Sequence, residues 1–361
     1  MKKFISLAAL MAAVFALTGC QKNEITVGNG ENLCALTVNV GGDIPANTKI
    51  AGAVADDNVI RDVQILVFRK AARDQDSKID AAVRISGLNA SGNYTVPESL
   101  NCTRGSREVW VVVNAPADYT KGTDAVLSLQ DLKVRTTVLG DNKYGTGGKS
   151  FVMAGNKVID LNAASQTVSV DVQRMACKVV IKGIENKFIL PVYQAEGSLK
   201  ITGAYLMSVA GCQKFDNLNS ISTARTFLPA SGIADSYWHG RNVKDSNTLI
   251  TEDYNPVKSL GYNGKLTDLS TFYAYPNDAD PSSAAAWSIR GTLLVVSATL
   301  KGDVCYYPIQ LPKLESNKCY EVNLVIKRRG SEEPWRPVEY DDMTTNITVT
   351  SWTPVPVSSE I

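Results

Sequence analysis

Histidine is almost missing from these 361 residues: His239 is the only one. A Ser-His-Asp triad would have to use that residue, and a histidine-rich metal site cannot be assembled at all. A charge surplus is missing too, with 37 Lys and Arg against 36 Asp and Glu. Nucleic-acid binders carry an obvious basic excess, so no nucleic-acid partner is expected. No Cys-x-x-Cys spacing occurs, which leaves zinc knuckles and thioredoxin-type sites without support. Beyond the first twenty residues no apolar run is long enough to cross a membrane as a helix. Gly145-Thr146-Gly147-Gly148-Lys149-Ser150 resembles a phosphate loop but has Lys143 where that pattern needs glycine, so it reads as a flexible turn. The acidic pairs Asp56-Asp57, Glu332-Glu333 and Asp341-Asp342 lack EF-hand spacing and read as solvated turns. A hydrolase would need a carboxylate pair, and the sequence nominates none. The chain is therefore read as a non-enzyme, with no catalytic residue, no metal and no cofactor.

What is present starts at the N-terminus. Lys2 and Lys3 precede an apolar stretch, Phe4 to Leu17, that ends in Leu17-Thr18-Gly19-Cys20. A charged head, a short apolar core and small residues before a cysteine mark an export signal. The pattern resembles the bacterial lipobox, which implies cleavage before Cys20 and a diacylglycerol on its thiol. An ordinary signal peptide that happens to end in cysteine is the competing reading. Loss of the segment turns the net charge from +1 to −1. An exported chain meets an oxidising compartment that permits disulfides. Six cysteines remain (Cys34, Cys102, Cys177, Cys212, Cys305 and Cys319), scattered and several within apolar runs. They read as buried free thiols acting as small hydrophobes.

Hydrophobic residues make up 44% of the chain, enough for a large core. The dominant signal is short β-runs separated by Gly, Pro, Asn and Asp clusters. Leu36–Val40, Val63–Phe68, Val109–Val113, Val168–Val172, Cys177–Ile181, Ser198–Val209, Thr292–Leu300, Val304–Leu311 and Tyr320–Ile326 are the predicted strands. Val109–Val113 is apolar on both faces and reads as a central strand. In the last run Tyr320, Val322, Leu324 and Ile326 share one face. A single helix is predicted from Asp124 to Val134, capped by Asp124, with Leu127, Leu129 and Leu132 inside. The polar stretches Lys214–Asp253 and Asn277–Ala286 read as insertions or loops. These patterns predict an all-β chain of two β-sandwiches with minor helical insertions, dividing near Arg174. Trp110 and Trp352 read as packing residues. Trp238, Trp287 and Trp335 lie in loop-like sequence and could form a sugar-stacking surface.

The two ends of the exported chain carry most of the functional signal. At the C-terminus, Asn346–Trp352 alternates with high β propensity and continues as Thr353-Pro354-Val355-Pro356-Val357. Alternating prolines remove the donors on one side, while Val355 and Val357 keep theirs on the other. Such a tail closes its own sheet or pairs with another molecule by strand addition. At the N-terminus, Leu36–Val40 leads into a polar segment, residues 43–52, with Lys49 as a trypsin-type cut site. Such linkers are where proteolysis concentrates, although a solvent-exposed loop with an incidental lysine is the simpler reading from residues alone.

The order of these features resembles the fimbrillin family, the major fimbrial subunits of the type V pili of Bacteroidales. The resemblance rests on the lipobox at Cys20, Thr48-Lys49-Ile50-Ala51, Ile65–Phe68, and Trp110-Val111-Val112-Val113-Asn114. It continues with Met153-Ala154-Gly155 read as a turn, Arg174–Val179 opening a second domain, and Val349-Thr350-Ser351-Trp352. It implies two tandem transthyretin-like β-sandwiches: a signal peptide over 1–19, a propeptide with the first strand over 20–49, an N-terminal sandwich over 50–174 and a C-terminal one over 175–361. The precursor would be an outer-membrane lipoprotein. Its first strand fills a groove until a cut between Lys49 and Ile50, or alternatively at Arg61, releases it. A donor strand of about residues 347–357, with Ile347, Val349, Ser351, Trp352, Val355 and Val357, would then fill the groove of a neighbour. The implied partners are other copies and related pilin subunits. Lysine at position 49, where the family has arginine, departs from the pattern. An uncut lipid-anchored subunit and a glycan-binding surface lipoprotein are the alternative functions.

Overall fold

The structure is a computed structural model and describes residues 32–42, 59–91, 93–144, 148–210, 212–215, 250–277, 291–336, 338 and 343–352. Its strands in the first half are β1 (Leu33–Gly42), β2 (Val59–Arg69), β3 (Ile79–Ser91), β4 (Tyr94–Thr95), β5 (Leu100–Thr103), β6 (Gly105–Val113), β7 (Thr136–Val138), β8 (Lys143–Tyr144), β9 (Gly148–Lys149), β10 (Met153–Leu161) and β11 (Ser165–Arg174). The second half holds β12 (Cys177–Asn186), β13 (Leu199–Met207), β14 (Cys212–Lys214), β15 (Thr251–Ser259), β16 (Lys265–Ala274), β17 (Leu293–Leu300), β18 (Asp303–Gln310), β19 (Lys318–Ile326) and β20 (Met343–Ser351). The chain is all-β, as the strand patterns predict.

In the first half the strand order is β3-β2-β6-β10-β11-β1-β4, with β5 also on β1. The path folds over on itself at β11. Strand β10 meets β11 only through Met153↔Arg174 and Ala154↔Gln173, after which β11 runs beside β1. One core lies between the two leaves and takes side chains from β1, β2, β5, β6, β10 and β11. Gly155 sits at the crossing, where an added Cβ would lie 1.9 Å from the Asp171 carbonyl oxygen. Met153-Ala154-Gly155 is thus no turn but the start of β10, and its glycine serves close approach of two backbones.

In the second half two four-stranded sheets, β16-β12-β19-β20 and β15-β13-β17-β18, face each other. Tyr320, Val322, Leu324 and Ile326 of β19 all point into this core at 1% exposure or less. The core continues without a break onto the outer face of β2 and β6, through Leu66, Phe68, Trp110 and Val112. Strand β6, between β2 and β10, is therefore covered on both faces, which is why its sequence is an unbroken apolar run. A short ladder between β7 and β14 also ties the two halves.

Three sequence expectations need correction. The helix is only α1 (Leu129–Lys133), capped by Ser128 rather than Asp124. The Ser128 hydroxyl accepts from the Asp131 N–H while the Asp131 carboxylate accepts from the Ser128 N–H, a capping box that sets the start. Leu129 and Leu132 are buried, but Leu127 lies before the cap and is 66% exposed. Strands β3, β10 and β16, and the short strands β4, β5, β7, β8, β9 and β14, were not anticipated, and β15 begins inside the stretch read as a loop. Both β3 and β15 are sheet edges; β15 shows mostly exposed residues, and β3 alternates only as far as Ser86, with Ala81, Val83 and Ile85 half-buried, before a register shift against β2 interrupts it.

Candidate functional site

Strand β1 reads Leu-Cys-Ala-Leu-Thr-Val-Asn-Val-Gly-Gly, an alternation that sends every second side chain inward. Cys34, Leu36, Val38 and Val40 are all 0% exposed. The strand has partners on both sides. It runs parallel to β11 from Ala35↔Ser165 to Gly42↔Val172. On its other side it is antiparallel to β5, from Leu33↔Thr103 to Leu36↔Leu100, and to β4 at Asn39↔Thr95 and Val40↔Tyr94. An N–H of Val96 also donates to the Val38 carbonyl at 3.0 Å.

An interior strand that is first in the described chain is joined to the rest only through the residues after Gly42. Taking it away would leave a groove with the walls Val168, Val170 and Val172 on one side and Val96, Leu100 and Cys102 on the other. Two rows of backbone groups would lose their partners, which is costly. Burial of Leu36, Val38 and Val40 contributes roughly 5–9 kcal/mol, an upper estimate from extended-chain areas.

The β5 wall of this groove is held independently of β1. The Asp80 carboxylate of β3 accepts from the Thr103 N–H at 2.8 Å and from its hydroxyl at 2.8 Å. It also pairs with Arg69 Nε of β2 at 2.9 Å and Arg107 Nε of β6 at 3.0 Å. Burial works to raise the Asp80 carboxyl, and the bonds from Thr103, Arg69 and Arg107 outweigh it, so its pKa lies below the usual carboxylate value. Four strands converge on one buried anion, which adds side-chain contacts to the β1 ladder in holding β5.

The terminal strand β20 is the opposite case. It forms nine pairs with β19, from Ile326↔Met343 to Lys318↔Ser351, and stands at the edge of its sheet. On its inward face Met343 and Ile347 are half-buried, Val349 is 48% exposed and Ser351 is exposed. The tryptophan that follows is anchored differently. Trp352 is 6% exposed, stacked on Tyr273 at 5.6 Å between ring centroids and edge-on to Phe151 at 5.0 Å. The buried Arg174 guanidinium lies 4.7 Å from the indole centroid, and the Trp352 N–H donates to the Asn317 carbonyl at 3.0 Å. Phe151 precedes β10 and Tyr273 lies on β16, so Trp352 pins the end of β20 where the two halves meet.

The proposed site residues thus fall into three groups. Ile347, Val349 and Ser351 share one face of an edge strand, whereas Trp352 is docked in its own molecule at the junction. Arg61 lies within β2, half-buried, with its N–H donating to Asn114 Oδ1 at 2.8 Å. Cys20, Lys49, Ile50, Val355 and Val357 lie outside the described residues, as do Trp238 and Trp287. Trp335 is half-buried against the cluster of Tyr205, Met207, Leu293 and Val295. The sequence did not reveal β5 and β11 as the walls around β1. Period-two alternation tells which way a side chain faces and nothing about which strand lies alongside.

No family model matches the chain, and no curated protein matches it. Solved structures do. A candidate cell adhesion protein from Bacteroides eggerthii superposes with a TM-score of 0.60 at 18% identity, covering 90% of this chain and 98% of that one. Another from Parabacteroides distasonis gives 0.61 at 12% identity, covering 89% and 98%. A fimbrilin from Porphyromonas gingivalis gives 0.58 at 15% identity, covering 89% and 99%. Coverage near the whole of both chains means that both sandwiches and their arrangement are shared. The chain has the fold of the fimbrilins and of the candidate cell adhesion proteins built like them.

Proposed function

We propose that the chain is a structural fimbrial subunit that polymerises on the cell surface by strand exchange and supports adhesion, without catalysis. The precursor is exported and tethered to the outer membrane through lipid on Cys20. Residues 20–49 form a propeptide that carries β1, residues 50–174 the first sandwich and residues 175–361 the second. A cut between Lys49 and Ile50 frees β1, and a terminal segment of about 347–357 from another copy takes its place. Arg61 is the weaker candidate for the cut, because a protease needs a segment free to leave the fold, and Arg61 is half-buried within β2 with its N–H bonded to Asn114. A head-to-tail contact of this kind does not close on itself, so it builds a filament. Its partners are further copies of the chain and related subunits.

One observation carries the reading: β1 is an interior strand, paired along both edges with its inward face buried, and it joins the rest of the described fold only through the segment that contains Lys49. The shared fold with a fimbrilin supports it, and so does the light seating of β20. The test is limited trypsin digestion of the precursor, followed by size-exclusion chromatography and electron microscopy. The expected result is a first cut between residues 43 and 58, then loss of the β1 peptide and growth of polymers. Cut protein that sheds β1 and stays monomeric would overturn the proposal. An uncut anchor subunit would keep β1 seated for good, and the buried inward face of β1 suits that role equally. The N-terminal residue of protein from the cell surface separates the two, Ile50 for the polymerising subunit and lipidated Cys20 for the anchor.

A further inference from the structure

Two of the six cysteines occupy facing positions in one ladder. Cys34 of β1 is the direct partner of Cys102 of β5, and both side chains are 0% exposed in the same core. Among the described residues no other two cysteines are direct ladder partners. Two residues along, the Arg104 N–H donates to the Asn32 carbonyl at 2.8 Å, which makes that pair a hydrogen-bonded one. Pair types alternate along an antiparallel ladder, so Cys34 and Cys102 form a hydrogen-bonded pair as well, with Cα atoms about 5.5 Å apart. That separation falls within the range that disulfides span. Direct partners also project to the same face, so the two side chains, free thiols in this structure, share one part of the core.

We infer that Cys34 and Cys102 form a disulfide that staples the leader strand into its groove, so that proteolysis alone does not release it. The consequence for release rests on the strand-exchange reading above; the bond itself does not. Formation balances as two thiol–disulfide exchanges with an external disulfide oxidant, such as oxidised glutathione or the disulfide of an envelope oxidoreductase. The Cys34 thiolate attacks one sulfur of the oxidant and expels a thiolate. The Cys102 thiolate then attacks Cys34 Sγ and expels the second. The two thiol protons leave on the two expelled groups, and the oxidant is reduced to two thiols. Burial pushes both thiols up, Cys102 to about 12 with the nearby Asp80 and Cys34 charges adding to it. The folded pair is therefore slow to react, and the bond forms before β1 seats or when its end opens.

The bond would make release a two-key event. The cut severs the chain after β1, and a reductant severs the staple. A subunit cut too early would keep its groove filled rather than expose an apolar cleft.

The test uses full-length precursor with Cys20→Ser, refolded with oxidised glutathione and then digested with limiting trypsin. Mass spectrometry under non-reducing conditions should find the β1 peptide covalently attached to a Cys102 peptide, and a phosphine reductant should release it completely. The Cys34→Ser variant should lose the peptide on cutting without reductant, and the Cys102→Ser variant should match it. Absence of the Cys34–Cys102 crosslink in the oxidised, folded protein would overturn the inference, and so would crosslinked protein that polymerises as fast as reduced protein. If the crosslink forms but cut Cys34→Ser protein sheds β1 and remains monomeric, the staple stands and the strand-exchange reading falls.

Discussion

Leu36→Ala separates a leader strand that stays from one that is replaced. Leu36 is 0% exposed and faces Leu100 across the β1–β5 ladder, with the valines of β11 beside it in the core. Truncating a fully buried leucine costs about 2–5 kcal/mol, because a cavity replaces the lost contacts. At ~3 °C for each kcal/mol in a domain of this size, a cost of ~3 kcal/mol lowers the melting temperature by about 10 °C. Calorimetry on two samples, uncut precursor and assembled fibre, reads the difference. The precursor should melt about 10 °C lower than wild type, since β1 is part of its core. The fibre should melt as wild type does, since β1 has left it. A fibre weakened as much as the precursor would refute the reasoning, because β1 would still be in place. An unaffected precursor would refute the burial argument itself.

Trp352→Ala should destabilise the monomer by about 3–5 kcal/mol and erase much of the near-ultraviolet circular dichroism, since Tyr273, Phe151 and Arg174 each lose a contact. Gly155→Val should abolish soluble expression, or leave a protein that melts far below wild type, because its Cβ would collide with the Asp171 backbone. Asp80 yields a pH signature. Its carboxyl titrates lower folded than unfolded, so its contribution is fully present above the unfolded value near 3.9 and disappears as pH falls through the folded value. Urea midpoints measured from pH 6 down to about pH 3 should fall for wild type, whereas Asp80→Asn should start lower and fall less steeply. Equal slopes would rule out Asp80 as the titrating group.

Particular elements show where sequence reasoning reached and where it stopped. Strand β6 was legible because a continuous apolar run has few homes other than a strand covered on both faces. The inward face of β19 was legible because period-two alternation maps directly onto burial. The edge strand β3 was not, since an edge bonded on one side tolerates Arg, Ser and Gly without penalty. The helix start was misplaced because Asp124 and Ser128 are both plausible caps, and only the reciprocal bonds with Asp131 decide between them. Gly155 looked like a turn residue, yet its role comes from Asp171 on another strand.

The same division runs through the candidate site. Alternation in β1 and β20 and the polar character of the segment around Lys49 are local properties, and local properties survive in a linear string. That β1 lies parallel to β11, that β5 faces it with Cys102 opposite Cys34, and that Trp352 is docked in its own molecule are pairings between residues far apart in the chain. The sequence by itself determined the all-β class and the inward faces of strands such as β1, β6 and β19, because each follows from steric and hydrophobic preferences of neighbouring residues. Only the tertiary structure decided which strand borders which, because that choice minimises unpaired backbone and exposed apolar surface over the whole molecule at once.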